Sequence, residues 1–106
     1  MHYVGVDLGA TNVRAVVGDE TATVLGSDSR GTPRGPNGIA VTEAVLGVVR
    51  GACANADVDP STVTAAGIGS IGPLDLAAGV VQGPANLPDT VERIPLVGPV
   101  SRLLDT

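Results

Sequence analysis

Apolar and polar positions alternate at the start of the chain. Val4, Val6 and Leu8 are separated by Gly5 and Asp7, and Val13, Ala15 and Val17 by Arg14 and Val16. A period of two marks strands with one buried face. The pattern predicts strands over 3–8 and 12–18. The polar run Asp19-Glu20-Thr21 predicts a turn, followed by a third strand over 22–29 with Val24 and Leu25 as its apolar anchors. Strands joined by such short turns form an antiparallel meander.

The period then changes. Residues 31–38 are rich in Gly and Pro and read as a loop. From 39 to 56, Val41, Val45, Val48, Val49 and Ala52 recur at helical spacing, with Thr42, Glu43 and Arg50 largely off that stripe. Gly47 and Gly51 lie one turn apart. Each is about 1 kcal/mol worse than Ala inside a helix, and the pair predicts a helix seated closely on a sheet. Cys53 reads as a small apolar core residue. Asp57-Val58-Asp59-Pro60-Ser61 breaks the helix. The small residues V-T-A-A-G-I-G-S at 63–70 read as a fully buried strand, parallel to an earlier one because a helix precedes it. Residues 71–75 turn out of it, 79–82 are a short extended piece, and 96–104 carry a weak helical stripe with Pro99 in the first turn. This order predicts an α/β fold with a mixed sheet, three antiparallel strands and then a parallel one.

Composition narrows the picture. The 106 residues suit one small domain, and 43% hydrophobic residues suit a globular one. One Tyr, no Phe and no Trp leave a core of Val, Leu, Ile and Ala. The net charge of −5, with all six basic residues Arg, argues against nucleic-acid binding through a basic patch. One cysteine excludes an intrachain disulfide, and one histidine, His2, leaves no His-based dyad. Neither a signal peptide nor an apolar run of about 20 residues is expected, so the expectation is a cytoplasmic protein without a membrane partner.

The candidate chemistry lies between the first two strands, in D-L-G-A-T at 7–11. Asp7 places a carboxylate near a strand end, where burial is costly unless a cation or donors meet it. Gly9 allows a turn whose backbone approaches a ligand closely. Successive N–H groups in such a turn form an anion-binding concavity, and Thr11 adds a hydroxyl. A carboxylate for a metal beside a turn for phosphate suggests a nucleotide-phosphate site. An ordinary ligand-free hairpin turn fits the same letters.

A second motif, G-I-G-S-I-G-P-L-D at 67–75, continues as G-V-V-Q-G-P-A-N-L-P at 79–88. With D-L-G-A-T-N-V-R at 7–14, the order and spacing resemble the N-terminal part of the ROK family (repressor, open reading frame, kinase), which includes glucokinases and other sugar kinases. The resemblance runs from about residue 3 to 105 and implies the actin-like, ribonuclease-H-like ATPase fold, with residues 1–106 as its N-terminal lobe. It implies transfer of the γ-phosphoryl of Mg-ATP to a hexose hydroxyl, and a homo-oligomer. Asp7 would act on the magnesium–phosphate assembly, directly or through water. Gly9, Ala10, Thr11 and Asn12 would serve the phosphates, with Ala10 standing where relatives often have Gly. Gly72 and Asn86 would lie near the sugar. No catalytic residue is assigned within the chain: the family's catalytic aspartate, the base, belongs to an E-N-D-type motif expected beyond Thr106. The chain alone is therefore expected to be inactive. A sugar-sensing repressor is the alternative within the family, although only three residues precede Val4, too few for a DNA-binding domain ahead of it. A non-enzymatic interaction domain is the alternative outside the family.

Overall fold

The computed structural model describes residues 1–35, 37–70, 74–75, 79–82 and 93–105. Three strands come first: β1 (His2–Leu8), β2 (Asn12–Asp19) and β3 (Val24–Gly31). Helix α1 (Gly38–Ala56) leads through a 3-10 turn, Pro60–Thr62, to β4 (Ala65–Ser70). Three short strands, β5 (Leu74–Asp75), β6 (Val80–Gln82) and β7 (Arg93–Pro95), precede helix α2 (Val97–Leu104).

The main sheet has the order β3-β2-β1-β4. β1 runs antiparallel to β2 and parallel to β4, as the mixed pattern predicts. Val4, Val6 and Leu8 of β1 and Val13, Ala15 and Val17 of β2 form one buried face. Helix α1 covers that face with Val41, Val45, Val48, Val49 and Ala52, each fully buried. Burying one such valine contributes about 1.5–3 kcal/mol, so this layer dominates a core without large aromatic side chains.

The helix begins where Asn37 accepts the N–H groups of Ile39 and Ala40, the usual N-cap arrangement. It ends at Asp57, which adopts a left-handed conformation with φ 57°. By length and hydropathy alone α1 could cross a membrane, which corrects the expectation that no stretch is apolar enough. Its apolar stripe is the core of this fold. Cys53 is buried there as expected, and desolvation, with a smaller push from the Asp59 charge, raises its thiol above the usual range.

Several expectations are corrected. Val24 and Leu25 are 61% and 38% exposed, so they do not anchor β3. β3 is an edge strand, and the register slips beside Val24 at Val17/Gly18. What β3 turns toward the helix is Gly26, Asp28 and Arg30. A Cβ on Gly26 would lie 2.5 Å from the Ala56 nitrogen and 2.6 Å from the Ala52 carbonyl oxygen, so Gly26 lets strand and helix touch. Gly47 and Gly51 instead make room for charged side chains: Arg30 lies over Gly47 and Asp28 over Gly51. The two form an ion pair at 3.5 Å.

β4 is not fully buried. Ala65, Ala66, Gly67 and Gly69 are exposed, because β4 is the other edge of the sheet among the described residues. Thr42 is not off the helix stripe but buried at 5%, donating to the Pro95 carbonyl at 2.7 Å. That bond ties α1 to a second sheet, β5-β6-β7, which hydrophobic periodicity does not predict. Its Val80, Val81 and Ile94 are buried. Pro99 lies in the first turn of α2, as predicted.

Candidate functional site

The hairpin between β1 and β2 turns through Gly9-Ala10-Thr11-Asn12. The Gly9 N–H donates to the Asn12 carbonyl at 3.0 Å and closes the turn. A Cβ on Gly9 would stand 3.2 Å from that same oxygen, which explains the glycine. The expectation that Gly9 offers its N–H to a ligand is therefore corrected: that donor is used inside the turn. Ala10 is half-buried, and Thr11 and Asn12 are exposed.

Asp7 lies on the sheet face opposite α1. Its neighbours in register are Arg14 on β2 and Gly69 on β4. It is exposed, so the cost of burying a carboxylate does not arise. Asp7 and Arg14, with Gly5, Val6, Val16 and Gly67, line a shallow cleft of about 410 Å³. The glycines of β1 and β4 keep its floor low, and nothing stands within 4 Å of a Cβ built on Gly67. A carboxylate and a guanidinium thus share an open cleft near the end of the strand that feeds the turn. A larger groove of about 680 Å³ runs between α1 and α2, past Leu46 and Leu103, and shares no residue with this cleft. Size alone does not select the site; the exposed carboxylate and the adjoining turn do.

Hydrophobic patterning misses two residues here. Arg14 reads only as a polar position within β2. Thr32 reads only as part of a Gly/Pro-rich loop, yet it is buried at 8% and holds the turn from behind. Its Oγ1 donates to the Gly9 carbonyl at 2.8 Å, and its N–H donates to the Thr11 carbonyl at 2.9 Å. The Thr-Pro pair that follows β3 is the available signal in the sequence. Gly72 and Asn86, expected near a sugar, lie outside the described residues. So does Thr106, the residue beyond which the catalytic base is expected. Among the described residues no group of three His, Cys, Asp or Glu side chains converges on a metal position.

No protein-family model matches the chain. A glucokinase from Pyrobaculum calidifontis is 40% identical over 100 residues, covering 94% of this chain and 28% of that protein. A ROK family glucokinase from Streptomyces griseus, in complex with glucose and AMPPNP, superposes over 96% of the chain with a TM-score of 0.71 and 30% identity. The ROK hexokinase from Thermus thermophilus superposes over 99% with a TM-score of 0.69 and 34% identity. The chain spans 30% and 31% of those two structures, under a third of the length of each of these three relatives. With sequence and fold both shared, the chain belongs to the ROK family and matches an N-terminal portion of its sugar kinases, built on the actin-like ATPase fold.

Proposed function

We propose that this chain forms the nucleotide-phosphate side of an ATP-dependent hexose kinase, with glucose as the first acceptor to test. The observation that carries the reading is the exposed Asp7 carboxylate in an open cleft, two residues before a clamped turn. The glucokinases it resembles, one of them held in complex with glucose and AMPPNP, support the choice of substrates.

The residues fit magnesium delivered with the nucleotide. That ion keeps several waters and is commonly held by one or two carboxylates plus substrate phosphates. Asp7 supplies one carboxylate, and no all-protein cage surrounds it among the described residues. When bound, the ion would neutralise charge on the transferring phosphoryl group. Asp7 would hold it, directly or through water. Ala10 and Asn12 N–H groups and the Thr11 hydroxyl would orient the phosphate oxygens, and Arg14 adds a positive charge at the cleft wall. These groups bind and position; the base that accepts the sugar proton is assigned to a part of the kinase not represented in these 106 residues. Gly72 and Asn86 are proposed to face the sugar. A cytoplasmic homo-oligomer that binds no nucleic acid completes the reading.

The test supplies Mg-ATP and glucose to the kinase that carries this chain. Formation of glucose phosphate is the expected result. Sugar binding without turnover would make the protein a sensor, and the absence of both would overturn the proposal.

A further inference from the structure

We infer that Thr32 is a positioning residue that aims the phosphate-binding N–H groups of the β1–β2 turn; the inference rests on the kinase reading above. A trans peptide is planar, and its C=O and N–H point in opposite directions. The Gly9 carbonyl shares a peptide with the Ala10 N–H, and the Thr11 carbonyl shares one with the Asn12 N–H. Both carbonyls are held by Thr32, one by its hydroxyl at 2.8 Å and one by its N–H at 2.9 Å. The Ala10 and Asn12 N–H groups are thereby turned away from Thr32. N–H groups released in this way are the donors that an anion at the turn would take.

The two halves of the clamp differ. The backbone half continues the β2–β3 ladder by one step, since Asn12 pairs with Gly31, and any non-proline residue could supply it. The hydroxyl half depends on the side chain. Thr32 is nearly buried, so losing the hydroxyl would leave the Gly9 carbonyl without its donor in a place water reaches poorly. The Gly9–Ala10 peptide would then be free to rotate, and with it one phosphate donor. Ala10 sharpens the need, because its methyl group permits fewer turn conformations than glycine but does not by itself choose one.

The test compares Thr32→Val, Thr32→Ala and Thr32→Ser in the kinase that carries this chain. Valine keeps the shape and loses the donor; serine keeps the donor. The expected result is a rise of roughly tenfold in KM for Mg-ATP with valine or alanine, equivalent to one lost buried hydrogen bond. KM for glucose should stay within about twofold, and serine should restore the wild-type value. Equal changes in both KM values, or a lower thermal midpoint with unchanged KM for Mg-ATP, would overturn the inference, as would failure of serine to rescue. Where alanine is too unstable to assay, valine, which fills the same space, carries the comparison with serine, and an unchanged KM for Mg-ATP with valine would overturn the inference. A wild-type kinase that neither binds nor uses Mg-ATP would instead sink the kinase reading, and the inference with it.

Discussion

The Asp28 carboxylate occupies the space that a methyl group on Gly51 would need. Its Cγ and Cβ, at 2.7 and 3.1 Å from that position, crowd it as well, so rotation of the carboxylate alone gives no relief. Alanine gains about 1 kcal/mol of helix propensity over glycine, whereas forcing extra volume into a packed contact costs about 1–3 kcal/mol. Gly51→Ala is therefore expected to destabilise the chain by about 1 kcal/mol. Gly47→Ala meets the flexible end of Arg30 instead and should be neutral or stabilising. Urea unfolding of both variants checks the contrast, and adding Asp28→Ala should rescue Gly51→Ala alone.

Gly26→Ala should be worse than either. The atoms in the way are backbone atoms of α1, at Ala52 and Ala56, and they cannot rotate aside. A loss of about 3 kcal/mol is expected. A loss under about 1 kcal/mol in urea unfolding would show that strand and helix separate easily.

Asp7→Ala separates function from folding. Asp7 is exposed at the cleft, so stability should change by less than about 0.5 kcal/mol. Turnover in the kinase should fall roughly a hundredfold or more, as when a group aimed at transition-state charge is removed. Parallel losses of stability and activity would make Asp7 a structural residue.

Thr42→Val removes the bond from α1 to the Pro95 carbonyl. Leaving that acceptor unpaired should cost about 1–3 kcal/mol. The effect should be local: amide exchange is expected to speed up in β7 and α2 while β1 and β2 keep their protection.

Acid stability has a local source in the β2–β3 turn. Asp19 accepts the Thr21 hydroxyl at 2.7 Å, the Thr21 N–H and the Thr23 N–H. The hydroxyl bond most, then the backbone bonds, hold its pKa below the ordinary 3.8. A carboxyl group whose pKa falls on folding stabilises the fold above its unfolded value, and the contribution is lost as pH falls through the folded value. Asp19→Asn should lower stability at neutral pH and flatten the acid limb below about pH 4, so that variant and wild type converge in acid. Urea midpoints across that range decide it.

How legible the fold was depended on which residues carried a period. β1 and β2 alternate Val, Ala and Leu with polar or glycine positions, and α1 repeats Val at helical spacing, so those elements and their buried faces follow from the letters. β3 misled, because Val24 and Leu25 look like anchors while the strand's contact with the helix is made by Gly26, Asp28 and Arg30. A charged pair lying over glycines has no hydrophobic signature. β4 misled for the opposite reason: small apolar residues suit a covered strand, and exposure depends on what lies beside it. At the site, the Asp7 and Gly9 pattern was readable because the turn is local. Thr32 was not, since its hydroxyl's partner, Gly9, lies 23 residues away and only the sheet brings them together.

The two margins of the main sheet are unlike. Along β3, Asp28 and Arg30 form an ion pair and Asn55 of α1 donates to the Ser27 carbonyl at 2.8 Å. Along β4 the side chains are Ala, Ile and Ser with two glycines, and none carries charge. Charged residues are the common guard against unwanted strand pairing, so growth by adding strands is open from one side and closed from the other. Among the described residues, then, the margin along β4 is the one suited to take a further strand, and the margin along β3 is the one that turns it away.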